Sequence, residues 1–260
     1  MITSFSVEGL FGRFDYKVQL KDGGITLLTG PNGFGKSTLF TLLESAVKGD
    51  EKKLKSLAFS SLNIVSDNGE FTLAKKDIEK ANLKDLPSKL GRVETVGSRR
   101  FLDGALRDDG ELRSFVEFIK GIPQRVAKAS KTEDGAKRVK LLVELLSDKL
   151  AFKRVELSDN GELAFFDDNG DKLEFTDLSA GEIQLTAFYT ELLFDAGQDT
   201  LLLIDEPEMS MHIIWQFTLV DEVERICSLT GARAIIATHS PQVLNGRFDL
   251  QVDLGEQYGG

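Results

Sequence analysis

The chain has 260 residues, room for one large domain or two small ones, and its 41% hydrophobic and 28% charged content is that of a globular protein. A single cysteine, Cys227, excludes an internal disulfide framework. The net charge of −10 argues against nucleic-acid binding over the whole surface, yet residues 1–140 carry 25 Lys/Arg against 19 Asp/Glu and residues 141–260 carry 7 against 23, so a local basic patch stays open.

Met1-Ile2-Thr3-Ser4-Phe5 has neither the basic start nor the apolar run of an export signal, and no apolar segment approaches the ~18 residues that cross a bilayer. A cytoplasmic location without a membrane partner is the expectation. Ile2–Val7 and Phe14–Leu20 alternate apolar and polar residues as half-buried strands do, with Gly9, Gly12 and Asp22-Gly23-Gly24 as punctuation. The aromatics here, Phe11, Phe14 and Tyr16, suit a core or a stack on an adenine.

Ile25–Thr29 reads as a buried strand and Leu39–Leu43 as the opening of a helix. Between them lies Gly30-Pro31-Asn32-Gly33-Phe34-Gly35-Lys36-Ser37-Thr38, which fits the phosphate-binding pattern G-x-x-x-x-G-K-[ST] at every fixed position. Its glycines let successive N–H groups converge on phosphate oxygens, and the helix N-terminus adds partial positive charge. Lys36 would reach the β- and γ-phosphates of ATP, and the Ser37 hydroxyl would ligate Mg²⁺.

Residues 48–175 are less informative. Lys48–Lys55 reads as a charged loop, Leu57–Val65 and Glu70–Leu73 as strands around Asp67-Asn68-Gly69, and Arg92–Gly97 as a strand entering the basic loop Ser98-Arg99-Arg100. Helical periodicity follows over Leu112–Ala129 and Gly135–Ala151. Between Lys120 and Lys140 there are 7 Lys/Arg against Glu133 and Asp134, a DNA or partner patch or else a solvated face. Hairpins turn at Asp159-Asn160-Gly161 and Asp168-Asn169-Gly170.

Leu178-Ser179-Ala180-Gly181-Glu182 leads into an apolar helix, Ile183–Phe194. Ser179 and Glu182 have capping-box spacing; a Ser and a Gly at an open helix start also make an anion site able to hold a γ-phosphate. Leu201–Ile204 then ends in Asp205-Glu206-Pro207, a buried strand delivering two carboxylates. Asp205 would hold Mg²⁺, directly or through water, and Glu206 would polarise the attacking water. Ile213–Leu229 reads as one helix, with His212 before it packing or capping, and Ala234–Thr238 as a further buried strand bringing His239 within reach of a γ-phosphate.

The phosphate loop, Leu178–Glu182, Leu201–Glu206 and Ala237-Thr238-His239-Ser240, in this order, resemble the ABC-type ATPase heads of the SMC and recombination-repair class. The run Asp205-Glu206-Pro207-Glu208-Met209-Ser210-Met211-His212 looks especially like compact ATPases of bacterial anti-phage systems. The resemblance implies an α/β P-loop NTPase fold with an ABC-type mixed sheet, an antiparallel N-terminal β subdomain and a helical signature subdomain. One ATPase domain over 1–260 is expected, its nucleotide-binding core at 1–47 and 176–254 and an insertion at 48–175.

It further implies a homodimer closing on ATP and Mg²⁺, with Ser179, Gly181 and Glu182 of one subunit reaching the γ-phosphate held by the other. Ser210 begins the loop that crosses between subunits. The Gln loop usual in such heads has no clear counterpart, Gln124 and Ser98-Arg99-Arg100 being poor fits. Glu182 in place of Gln, and the residues after Pro207, point away from transporters. The short tail after Ser240 suggests an effector, nuclease or toxin, on another polypeptide, with phage defence as the setting. The alternative is an ATP-dependent DNA-binding or repair protein with slow hydrolysis, using basic regions near 92–107 and 120–140.

Overall fold

The computed structural model describes residues 1–81, 83, 86–97 and 109–258. Twelve strands are described, in three sheets. The first sheet is antiparallel. It contains β1 (Ile2–Leu10), β2 (Phe14–Gln19), β4 (Ser61–Ser66) and β5 (Gly69–Ala74), in the order β2-β1-β4-β5. Alternation decides its faces: Phe5, Val7, Phe14, Tyr16, Val18, Leu62 and Ile64 all go inward. They pack on the helix Lys36–Lys48, whose Leu39, Phe40, Leu42, Leu43 and Val47 are buried in the same cluster.

The second sheet holds β3 (Ile25–Thr29), β6 (Arg92–Gly97), β10 (Thr200–Asp205), β11 (Arg233–Ala237) and β12 (Gln251–Asp253). All five are parallel, in the order β12-β3-β11-β10-β6. A parallel strand covered on both faces needs an unbroken apolar run. Thr200–Asp205 supplies one: Leu201 and Leu203 join the core shared with the antiparallel sheet, while Leu202 and Ile204 face a second core. That second core is built by the helices Asp109–Ala129, Glu133–Ser147, Ala180–Asp195 and Leu219–Thr230 and by the small sheet β7 (Lys153–Leu157), β8 (Leu163–Asp167) and β9 (Lys172–Leu173).

Residues 48–175, set apart in the sequence as an insertion, supply β4 and β5 to the first sheet and β6 to the second. Two local expectations need correction. Lys48–Lys55 is not a plain loop: Gly49 ends one helix and Asp50 caps another, Glu51–Ser56, by accepting from the Lys53 N–H at 2.9 Å. The single helix expected over Ile213–Leu229 is two, Ile213–Gln216 and Leu219–Thr230. Side chains take up the carbonyls left at the break: the Phe217 carbonyl accepts from Asn245 at 3.0 Å and the Trp215 carbonyl from the Thr218 hydroxyl at 3.3 Å.

Register aligns the ends of the second sheet. Asp205 pairs with Ala237 and Ala237 with Leu28, so the loops leaving β3, β10 and β11 start from one row. Ligands of open α/β sheets bind beyond such carboxyl ends.

Candidate functional site: a phosphate loop facing a glutamate and a histidine

Gly30, Gly33 and Gly35 all have left-handed φ, at 146°, 85° and 90°. Gly35 is doubly constrained, because a Cβ there would stand 2.8 Å from Leu10 Cδ2 and 3.1 Å from the Phe11 ring. The loop therefore lies tight against the β1–β2 turn and delivers Lys36 at the first position of its helix. Lys36 is buried, its ammonium donating to the Gly30 carbonyl at 2.7 Å and contacting that of Pro31 at 3.4 Å. Among the described residues it has no carboxylate partner within ion-pair distance. A buried cation held only by carbonyls, with backbone N–H groups around it, is the donor set an anion requires.

A cleft of about 640 Å³ opens there. Asn32, Gly33, Gly35, Lys36, Ser37 and Thr38 line one side; Glu206, Met209 and His239 line the other, and Phe11 stands at the edge. Pro31 and Phe34 turn elsewhere: Pro31 abuts Gly255, and Phe34 packs on Phe14 and Tyr258.

Glu206 is buried and sits in the left-handed region, φ 47° and ψ 53°, a conformation costing a non-glycine residue roughly 1 kcal/mol or more. Its N–H donates to the Ala237 carbonyl at 2.9 Å, and Pro207 then breaks the ladder, so the carboxylate turns off the sheet into the cleft. Its Oε1 lies 3.9 Å from His239 Nδ1. Asp205, one residue back, is buried at the strand end and does not line the cleft. Among the described residues, no three His, Cys, Asp or Glu side chains form a metal cage. Mg²⁺ uses one or two protein oxygens beside phosphate and water, and the Ser37 hydroxyl in the cleft lining belongs to a residue type that supplies one.

The other predicted group lies apart. Ser179 is exposed, Gly181 half-buried and Glu182 buried, and none of the three lines the cleft. Both halves of the capping box form: Ser179 Oγ accepts from the Glu182 N–H at 3.3 Å, and Glu182 Oε2 accepts from the Ser179 N–H at 2.7 Å. Lys153 on β7 adds an ion pair to Glu182 Oε1 at 2.8 Å. Burial works to raise the Glu182 pKa, but the Lys153 ammonium and the Ser179 N–H prevail and hold it below the usual carboxylate range.

Sequence reasoning gave no role to Lys153 or to Glu208, and their contacts span stretches of chain no local pattern connects. His212 proves to be a helix cap, its Nδ1 accepting from the Ile214 N–H at 3.4 Å. Burial pushes the Cys227 thiol up to about 12, away from the thiolate that reactive cysteines carry. Of the basic residues between 120 and 140, Arg125 pairs with Asp195, Lys137 with Glu133, and Arg138 with Asp134 and two backbone carbonyls. Lys120, Lys128, Lys131 and Lys140 stay exposed without an acid partner among the described residues. In the other basic region Arg92 pairs with Glu94, while Ser98-Arg99-Arg100 and the rest of 98–107 lie outside the described residues.

The family model described as "AAA domain, putative AbiEii toxin, Type IV TA system" matches residues 99–245, more than half of the chain. The chain belongs to that AAA-domain family. It is also 26% identical over 248 residues to protein ea59 of Escherichia phage lambda, covering 88% of this chain and 44% of ea59. The chain thus spans less than half the length of that curated relative. Among solved structures, the SMC head domain from Thermotoga maritima superimposes with a TM-score of 0.57 at 13% identity, over 94% of this chain and 90% of that one. An SMC head solved with the C-terminal winged-helix domain of ScpA gives 0.55 at 15% identity, over the same shares. The AAA-domain chain has the ABC-type ATPase head fold, and among its described residues no helix is long and apolar enough to cross a membrane.

Proposed function

We propose that the chain binds ATP with Mg²⁺ in this cleft, hydrolyses it, and uses the nucleotide state to close two heads on one another. The observation that carries the reading is Lys36, a buried ammonium without a carboxylate partner among the described residues, set in a phosphate loop opposite Glu206 and His239. Lys36 and the loop N–H groups bind and orient the phosphates, Ser37 would hold the metal with Asp205, set back from the cleft, reaching it through water, and Glu206 takes a proton from the attacking water. Mg²⁺, when bound, neutralises phosphate charge. His239 sits beside Glu206 and lines the same cleft, where it orients the water or the terminal phosphate.

Ser179 and Gly181 act on the nucleotide of a second subunit. The head serves as a switch for a separate effector, a nuclease or toxin, in the cytoplasm. The family description, which speaks of a putative toxin, and the phage source of ea59 support a place in conflict between phage and host. Lys120, Lys128, Lys131 and Lys140 favour a second reading, a slow ATPase that closes on DNA.

Turnover of ATP with and without duplex DNA separates the two readings. Under the first, Lys36→Ala loses nucleotide affinity, while Glu206→Gln keeps affinity and loses turnover by roughly 10²-fold or more. Full turnover in Glu206→Gln removes that residue from the chemistry, and unchanged ATP affinity in Lys36→Ala removes the phosphate site itself.

A further inference from the structure

The loop leaving β10 carries one more carboxylate, at Glu208. This side chain is buried, and its Oε1 accepts from the Thr238 hydroxyl at 2.7 Å and from the His239 N–H at 3.1 Å. The same oxygen lies 3.3 Å from His239 Nδ1, an electrostatic contact that is not a hydrogen bond in this geometry, and is closer than Glu206 Oε1 at 3.9 Å. Its Oε2 is buried without a hydrogen-bond partner among the described residues. All the bonds of this carboxylate therefore go to two consecutive residues of the loop after β11. Desolvating a carboxylate is costly unless fixed donors compensate, so a site that keeps one there holds those donors firmly.

The contact is part of a closed ring. Thr238 Oγ1 accepts from the Ser240 N–H at 3.0 Å, Ser240 Oγ stands 2.9 Å from Gln216 Oε1 and equally from Gln242 Oε1, its one proton serving either, and Gln216 Nε2 donates back to the Glu208 carbonyl at 3.4 Å. The loop after β10 and the loop after β11 are thus tied at both ends, with His239 between them. A carboxylate only accepts, so its approach to the imidazole is favourable when Nδ1 carries the proton.

We infer that Glu208 is the positioning residue of His239: it locks the two loops together and turns the protonated Nδ1 inward, leaving Nε2 as the ring atom for the cleft. The effect on turnover rests on the reading of the cleft as an ATPase site. The state of the ring does not.

Two histidines, His212 and His239, make the test direct. In ¹⁵N-histidine spectra recorded through a pH titration and assigned with His239→Asn, the neutral His239 ring of the parent carries its proton on Nδ1. Glu208→Ala loses that preference, and Glu208→Gln, which keeps an acceptor at the same place, retains it. With ATP and Mg²⁺, Glu208→Ala lowers kcat about tenfold or more while KM moves less than about threefold, and Glu208→Gln recovers most of the rate. Glu208→Asp, which withdraws the acceptor by one methylene, changes the ring in the same direction and serves if the alanine variant does not fold. An unchanged ring in a folded Ala or Asp variant overturns the proposal at any level of turnover. A ring that depends on Glu208 in a parent that does not hydrolyse ATP upholds the positioning role and sinks the hydrolysis reading instead.

Discussion

Three aromatics near the amino terminus have the same chemistry and different surroundings. Phe14 and Tyr16 are buried and stacked at 5.5 Å between ring centroids, whereas Phe11 has φ 55°, is 44% exposed and stands at the edge of the cleft. The left-handed backbone at Phe11, followed by Gly12, lifts its ring out of the strand and over the phosphate loop, close to the site a Gly35 Cβ would need. A base stacked on one aromatic face gains ~1–3 kcal/mol and discriminates little between purines. Phe11→Ala is therefore expected to weaken ATP and GTP binding alike, by roughly fivefold or more, without altering kcat. Calorimetric titration of both nucleotides checks it; an unaffected Kd would return Phe11 to the core of the β1–β2 turn.

The helix Ala180–Asp195 shows how an element can be legible while its anchoring is not. Its capping box could be read from Ser179 and Glu182 three residues apart, and both bonds are present. Lys153 is 29 residues away on another sheet, so the ion pair that completes the cap left no trace in local spacing. The same holds for β6: its apolar residues marked a strand, but its partner β10 is about a hundred residues downstream, and pairing over that distance has no sequence period. The strands β3, β10 and β11 were legible because burial on both faces demands continuous apolar runs. The break at Phe217 and Thr218 was hidden, because the donor that takes the Phe217 carbonyl is Asn245, well downstream of the helix.

Titration tests the cap. Glu182 ionises at lower pH in the folded chain than in the unfolded one, so its contribution to stability is complete above the ordinary glutamate range and is lost as the pH falls through the folded value. Lys153→Ala should cost about 1 kcal/mol near neutrality, within the range of a lost cap or partly screened ion pair. It should also flatten the acid limb of the stability curve. Denaturant unfolding of both chains from pH 3 to 7 measures this, and parallel acid limbs would show that Lys153 contributes nothing to the cap.

At the scale of the molecule, the predicted site residues form two groups. Lys36, Ser37, Glu206 and His239 meet at one cleft; Ser179 and Gly181 stand at a helix start outside it. If the helix start at Ser179 binds a phosphate as proposed, a cleft on one head and that start on another would complement each other in a two-fold pair of heads. Closure would use each surface twice and exclude water from the phosphates, which strengthens every charge interaction there. Glu206→Gln with ATP and Mg²⁺ is then expected to sediment as a dimer, and the same chain carrying Ser179→Arg as a monomer, because the arginine places bulk and charge where the helix start must approach. Neither Ser179→Arg nor Lys36→Ala alone should turn over ATP at the parent rate. Mixed together they should regain part of it, since one composite site of the mixed dimer then has Lys36 from one chain and Ser179 from the other, both intact. Sedimentation of the variants and turnover of the mixture read the two halves independently. A monomeric Ser179→Arg chain that hydrolyses ATP at the parent rate would reduce Ser179 to the helix cap that its bond to the Glu182 N–H already explains.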